Sequence, residues 1–525
     1  MKTVIIGNGC NAVSVATKLR RCDENAEIVI LSPSQEFAVA KCGLHYLLDG
    51  TVSDKSDLLA VTPEQLWRLF KIKVKLRANI IEINRIDKFI QIENKYSESY
   101  DKLVIASDAT IIRPDIKGIL GENIFVASTL QAMERIKSYF FENNVKKVLV
   151  LGFSNTALSL AEAFYKLGAK VTLTDNNSHI LPEFDADMTD ALEKNICNEL
   201  NINILFNSRI SAFDTNAVHF ENGISLGFDM AVIATPAVID VKLPILANLE
   251  LGKDGGISVN KYMQSNDSDI YVCGDYSEMQ NLITSKYERI DSPAFATKQA
   301  RTIANHICGI SMPIKGFKTC KITRIFNKTI GISGATEQEL VNADIKYKKV
   351  YLHQFNSDLY IPKASPMLLK LLFNDSGKIL GMQIIGENGV AERINAVSVQ
   401  IQHNADVNDL IFEDIAHYPE FSQVKDALNN IGAIAEEVRT GRLNYMVSDN
   451  LDNDVFLIDV RTPEDFKEDA LPNAINLPLA AIRDNLDIIP HNRKIALYCN
   501  RGYGAYIAYQ ILKQTGFDDL DLLWR

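Results

Sequence analysis

The sequence predicts an α/β protein: two βαβ nucleotide-binding units, then an α+β domain, then a small C-terminal α/β domain. Three observations carry that expectation. A β-branched run meets a glycine turn and a helical pattern at the N-terminus, the same order of features returns near residue 147, and after residue 321 longer apolar runs take over. The 525 residues suffice for three or four domains. Hydrophobic residues at 47% and charged residues at 23% are ordinary for a globular chain, and exclude disordered, collagen-like and membrane-spanning classes. A net charge of -11 argues against a nucleic-acid surface. The apolar run Val4–Ile6 is too short for a signal core or a span, so a cytoplasmic protein without membrane partner is expected. The 8 cysteines form no C-x-x-C pair, which argues against a disulfide framework and makes single thiols the residues of interest; no metal site is expected.

Thr3–Ile6 reads as a strand running into Gly7-Asn8-Gly9-Cys10-Asn11-Ala12. A helix follows through Val13, Ala16 and Leu19, and Glu27–Leu31 is the second strand. Gly7 permits the tight turn, Gly9 lets backbone approach a pyrophosphate, and Ala12 packs the helix on the strand. The acid expected after the second strand is replaced by Ser32, a weaker partner for a ribose hydroxyl. The second unit runs through Lys147–Leu151, Gly152-Phe153-Ser154-Asn155-Thr156-Ala157, a helix with Leu158, Ala161 and Phe164, and Lys170–Asp175. Here the acid is present as Asp175, but Ser154 replaces the middle glycine, and its Cβ crowds a pyrophosphate. A retained fold with weakened nucleotide binding stays open. The run Asp269–Asp275 ends in Gly274-Asp275 and can offer a carboxylate to a ligand hydroxyl. Its position after the second unit suggests one nucleotide domain inserted into another.

Lys348–Leu352 and Met367–Phe373 predict strands, Asn374-Asp375-Ser376-Gly377 a turn, and Ile379–Gly386 the return strand of a hairpin. Helical spacing resumes over Val390–His403, and the α+β domain ends near Gly441. The polar stretch Ser448–Asp454 marks a junction before an α/β unit of about eighty residues. The expected boundaries are 1–110 with 241–320, 111–240, 321–442 and 443–525.

The most specific segment is Phe37-Ala38-Val39-Ala40-Lys41-Cys42-Gly43-Leu44-His45-Tyr46. With Thr62-Pro63-Glu64, Cys273-Gly274-Asp275, Lys298-Gln299-Ala300-Arg301 and Ser376–Gly381, it resembles the FAD-dependent pyridine nucleotide–disulfide oxidoreductases. More narrowly it is similar to the single-cysteine branch, coenzyme A-disulfide and persulfide reductases. Leu457–Glu464 and Tyr498–Gly502 resemble rhodanese signatures, so the resemblance covers essentially the whole chain. It implies Rossmann-like FAD- and NAD(P)-binding domains, a dimerisation domain that makes a homodimer, and a rhodanese-like domain.

The resemblance also implies a chemistry. NADH or NADPH reduces FAD, and FAD passes two electrons to Cys42, which cycles between a thiolate and a mixed disulfide with coenzyme A, or a persulfide. Cys42 stands at the expected start of a helix, where the dipole favours a thiolate, and Lys41 adds positive charge. The FAD reading rests on Gly7, Gly9, Ala12, Ser32, Lys41, Ala106, Gly274 and Asp275; the nicotinamide reading on Gly152, Glu162 and Asp175. Lys18, Arg20 and Arg21 form a basic run for coenzyme A phosphates or plain solvated surface. Tyr360 is retained where the family sets tyrosines near the partner's cysteine, while His417 and Phe421 stand where tyrosines are common. Cys499 either transfers persulfide or belongs to a degenerate docking domain, with Arg501 partly replacing the arginine usual in its loop.

Other departures leave alternatives open. Asp108 in Ala106-Ser107-Asp108-Ala109 replaces a glycine beside the flavin domain. His45 either exchanges protons with the Cys42 thiol or is a surface residue. Cys10 stands where NADH oxidases and peroxidases of the superfamily carry histidine; it makes oxygen or peroxide reduction less expected, and either adds a second thiol near Cys42 or fills a tight loop. The alternative functions are a flavin- or sulfur-binding module that has lost the nicotinamide site and takes electrons from a protein partner, or an NADH oxidase or peroxidase.

Overall fold

The computed structural model describes all residues except 94–96, 448–453, 501 and 525. The expected junction at 448–454 therefore falls almost wholly outside the described residues, and Arg501 falls outside them. The described chain forms two compact units, Met1–Phe317 and Lys318–Arg525.

The first unit contains two parallel sheets. In one, β1 (Lys2–Ile6) pairs with β2 (Glu27–Leu31) and with strand Lys102–Ile105; β3 (Lys73–Lys75) and Ile270–Val272 complete the two edges. Val4, Ile5, Ile28 and Ile30 are essentially fully buried, as a parallel sheet covered on both faces requires. The helix α1 (Cys10–Cys22) joins β1 to β2 and buries Ala12, Val15, Ala16 and Leu19. The second sheet, ordered Asn203–Leu205, Lys170–Thr174, Lys147–Leu151, Met230–Ile233 and Ile124–Val126, is complete before Ile270–Val272 returns to the first. The inserted arrangement follows from that strand order.

Arg20 corrects one expectation. Its guanidinium is buried rather than set among surface cations, and it donates to the carbonyls of Phe70 (2.7 Å), Asp23 (3.2 Å) and Ala26 (2.8 Å), and to Glu24. Those carbonyls lie in the chain that follows α1 and at Phe70, so the buried cation ties the exit of the helix to that segment. Lys18 stays half-buried and Arg21 exposed.

The second unit opens with an antiparallel sheet ordered Cys320–Ile325, Lys328–Gly334, Ile379–Gly386, Pro366–Phe373 and Lys348–Phe355. The expected hairpin is there: Phe373 pairs with Ile379, and the Asn374 side chain accepts from the amides of Ser376 and Lys378. Helix Val390–Gln402 contributes Arg393, whose buried guanidinium meets Asp426 at 2.5 Å. A five-stranded parallel sheet follows, ordered Tyr445–Val447, Leu520–Trp524, Ile495–Tyr498, Phe456–Asp459 and Ile475–Asn476. Among the described residues no helix is long and apolar enough to cross a membrane.

Arg20→Met leaves the buried Ala26 carbonyl and the half-buried Phe70 and Asp23 carbonyls without this donor. It is expected to lower unfolding stability in urea by about 2–4 kcal/mol, whereas Arg21→Ala stays within about 0.5 kcal/mol. Equal effects of the two changes would contradict a framework role for Arg20.

Candidate active site

The first glycine turn is built by close approach. A Cβ on Gly7 would lie 2.4 Å from the Ala106 carbonyl oxygen, and one on Gly9 would lie 2.1 Å from the Asp108 carboxylate. Only glycine lets the β1–α1 turn pass the end of strand Lys102–Ile105 at that distance. α1 then starts from Gly9 with no side-chain cap and no acid in its first turn, so its leading amides face outward. In front of them lies a cleft of about 290 Å³ lined by Asn8, Gly9, Ser34, Glu36, Lys41 and Asp108, among others.

Asp108 organises the mouth of this cleft. Its carboxylate pairs with Lys41 Nζ at 3.1 Å and accepts from Asn11 Nδ2 at 3.4 Å. Lys41 therefore neutralises Asp108 instead of serving the neighbouring thiol alone, as expected from sequence. Cys42 is exposed and lies in a 3-10 turn, Lys41–Gly43; the α-helix α2 (Leu44–Asp49) begins only two residues later. The expectation that Cys42 opens a helix is corrected: Gly43 ends the tight turn and serves as the N-cap.

α2 rests on the second nucleotide-binding unit. Lys137 donates to the Leu47 carbonyl at 2.7 Å, and Lys166 pairs with Glu162 at 2.8 Å and Asp49 at 3.6 Å. His45 faces this group. Burial pushes its imidazole below the usual value, with Asp49 and Glu162 opposing and Lys166 reinforcing. Of the two readings for His45, the structure excludes a freely solvated surface residue.

Gly274 and Asp275 reach the same turn from the far edge of the sheet. A Cβ on Gly274 would meet Asn11 Nδ2 at 2.4 Å, and the Gly274 amide donates to Gln299 Oε1 at 2.8 Å. The Asp275 carboxylate accepts from the Ala109 amide at 2.7 Å. Burial pushes its pKa up to about 6, Asp291 and Asp108 add to the rise, and the Ala109 hydrogen bond opposes it. Gly7, Gly9, Lys41, Ala106, Gly274 and Asp275 thus gather at one place, with Ala12 packed beneath.

Ser32 does not join them. It is fully buried, and its hydroxyl donates to the Ser34 carbonyl at 2.8 Å, so it shapes the loop after β2 and is unavailable to a ribose. Four residues on, Glu36 lines the cleft, and its carboxylate accepts from the amides of Leu130 (3.0 Å) and Gln131 (2.6 Å). Nothing local in the sequence links Glu36 to a helix 94 residues away.

In the second unit of the pair, Gly152 repeats the Gly7 device, with a Cβ position 2.5 Å from the Ala234 carbonyl. Ser154 caps helix Asn155–Lys166 by accepting from the Ala157 amide, and its hydroxyl donates to Ala234 O at 2.9 Å. The hydroxyl is turned into the protein, while the Cβ expected to crowd a pyrophosphate remains. Asp175 accepts from Asn177 at the end of strand Lys170–Thr174.

Within the Lys318–Arg525 unit, Cys499 follows strand Ile495–Tyr498, and the Ala505 amide donates to its sulfur at 3.4 Å from the first turn of helix Tyr503–Gln514. Gly504 leaves room: a Cβ there would sit 3.6 Å from the sulfur. Arg461 is occupied by Asp459 (2.6 Å), the Asp469 carbonyl (2.6 Å) and Asn500 Oδ1 (2.7 Å). Tyr360 is 72% exposed and donates to Asp358 at 3.0 Å; Leu359, Tyr418 and Phe421 are exposed as well.

Three family models match the chain: pyridine nucleotide-disulphide oxidoreductase over residues 1–300, its dimerisation domain over 322–428, and a rhodanese-like domain over 444–523. A coenzyme A disulfide reductase of Staphylococcus aureus is 29% identical over 444 residues, which is 82% of this chain and 99% of that one. Among solved structures, reduced Bacillus anthracis CoADR-RHD superimposes with a TM-score of 0.97 at 28% identity, covering 99% of this chain and 96% of that one. A NAD-dependent persulfide reductase from A. fulgidus superimposes with a TM-score of 0.93 at 28% identity, covering 100% and 98%.

The raised carboxyl of Asp275 sets a pH dependence. Its folded pKa of about 6 exceeds the ordinary 3.8, so the stability it contributes is complete below about pH 4 and is lost as pH rises through 6. The full shift corresponds to about 3 kcal/mol. In urea unfolding of the ligand-free protein between pH 4 and 7, Asp275→Asn is expected to flatten this decline; parallel curves for the two proteins would refute it.

Proposed function

Because the chain belongs to the pyridine nucleotide-disulphide oxidoreductase family, we propose that Cys42 is the redox thiol of an FAD-dependent NAD(P)H:disulfide oxidoreductase that reduces coenzyme A disulfide, coenzyme A persulfide or a related small sulfur species. The observation that carries the reading is an exposed cysteine directly after Lys41, a residue that lines the cleft at the N-terminus of α1.

The residues at that cleft fit FAD. Gly7 and Gly9 remove the side chains that would block a close approach, the uncapped amides of α1 suit a pyrophosphate, and Asp275 offers a carboxylate beyond Gly274. FAD, when bound, takes two electrons from the nicotinamide and makes them available to a thiol beside it. Asp108 works against this binding, since its carboxylate adjoins the same amides, and Lys41 compensates. Gly152 and the helix that Ser154 caps would hold the nicotinamide cofactor, and Asp175 would accept from a ribose hydroxyl and repel a 2′-phosphate. That favours NADH over NADPH.

Toward the substrate, the Cys42 thiolate attacks one sulfur of the disulfide and releases the other half as a thiolate. His45, three residues on, is held below its usual pKa by burial, which favours the neutral imidazole. Cys499 would carry a sulfane sulfur on the Ala505 amide and the helix N-terminus behind it. The exposed cluster of Leu359, Tyr360, Tyr418 and Phe421 would be covered in a homodimer. The relatives named above support the sulfur chemistry: one reduces coenzyme A disulfide and another is a persulfide reductase.

The reading is tested by anaerobic titration of the purified protein. NADH is expected to bleach the visible flavin bands at lower concentration than NADPH, and Cys42→Ser to lower coenzyme A-disulfide reduction by at least about 1,000-fold while the bleaching persists. Disulfide reduction that survives Cys42→Ser would end the proposal. In a separate measurement, Asp108→Asn is expected to tighten FAD binding to the apoprotein by roughly tenfold, read by flavin fluorescence quenching, because one like charge leaves the pyrophosphate site.

A further inference from the structure

The loop that begins α1 and the loop that carries Cys42 are joined at two points. The Ala38 amide donates to the Asn8 carbonyl at 2.7 Å. Asp108 then lies against Gly9, accepts from Asn11 and pairs with Lys41, so one carboxylate contacts the residues on either side of Cys10 and the residue before Cys42. Cys10 and Cys42 are both exposed free thiols on these joined loops.

The geometry points to Cys10 as the resolving thiol for Cys42, a second sulfur that displaces the half-substrate left on Cys42 as a mixed disulfide. The proposal rests on Cys42 being the redox cysteine. No other thiol of the first unit is so placed. Cys273 is fully buried with its sulfur directed at the Ala296 carbonyl. Cys22 and Cys308 lie at the opposite end of α1, about 18 Å along the helix axis. Cys197 lies beyond helix Ala186–Lys194, ahead of the outer strand of the second sheet.

Electrostatics supplies an order of events. The Cys10 thiol is pushed up by burial first, then by the negative charges of Asp108 and Cys42, while its own backbone amide and Lys41 oppose the rise. A thiolate at Cys42 adds to the rise that burial and Asp108 impose on Cys10. Once Cys42 is bonded to substrate sulfur its charge is gone, and Cys10 ionises more readily.

The steps balance. The Cys42 thiolate attacks the substrate disulfide, forming one S–S bond, breaking another and releasing one thiolate. The Cys10 thiolate then attacks Cys42 sulfur, forming the Cys10–Cys42 bond and releasing the second thiolate. The substrate gains two electrons, the cysteine pair loses two, and the protons of the two cysteines pass through solvent to the released thiolates. The two electrons delivered by pyridine nucleotide restore the dithiol.

The test uses holoenzyme with its thiols reduced, desalted and kept anaerobic without pyridine nucleotide, then exposed to coenzyme A disulfide. The wild type is expected to release two equivalents of coenzyme A and to yield a cross-linked peptide pairing Cys10 with Cys42 on mass mapping. Cys10→Ser and Cys10→Ala, each checked for a normal flavin spectrum, are expected to release one equivalent and keep a coenzyme A adduct on Cys42. A wild type that stops at the same Cys42 adduct would overturn the role of Cys10 and leave that of Cys42 standing. A Cys42→Ser protein that reacts like wild type would overturn both.

Discussion

The candidate site depends on how closely two pieces of backbone pass: the turn after β1 and the end of strand Lys102–Ile105. With Gly7 pressed onto the Ala106 carbonyl, Ser107 and Asp108 are delivered directly over Gly9. A carboxylate set there, at the positive end of α1, draws in Lys41 from a loop 67 residues away in sequence and thereby fixes the turn that holds Cys42. The same approach recurs at Gly152 and Ala234, where it sets the start of a second helix. One geometric device therefore builds both nucleotide-binding turns.

The rest of the first unit supports that arrangement from a distance. At its far end α1 is anchored by Arg20, whose guanidinium closes the last turn onto Phe70 and Ala26. α2 lies between the Cys42 turn and helices of the second sheet, tied by Lys137 to Leu47 and by Lys166 to Asp49. The Cys42 turn is thus connected to both sheets, and a displacement of either would reach Cys42 through α2. Charge is concentrated at the same point. Burial of Asp275, with the charges of Asp291 and Asp108 adding to it, raises its carboxyl pKa to about 6.

The surroundings of Cys499 are made differently. Arg461 is held by Asp459, Asp469 and Asn500, and among the described residues the Ala505 amide donates to the Cys499 sulfur with Gly504 beside it.

The sequence by itself determined the element order, the two glycine turns, the hairpin at Asn374–Gly377 and the identity of Cys42 as the thiol of interest. The elements and turns follow from local chemistry, the alternation and periodicity of apolar residues and the need for glycine where backbones touch, whereas Cys42 stands out through the resemblance carried by Phe37–Tyr46. Only the tertiary structure decided the partners. Ser32 was legible as the residue after β2 but not as a buried loop brace; Arg20 was legible as a cation but not as the buried donor to Phe70 and Ala26; Lys41 was legible beside Cys42 but not as the counter-ion of Asp108. Each of those roles is set by a contact made across the fold, and a one-dimensional pattern carries no record of which distant carboxylate or carbonyl a side chain will meet.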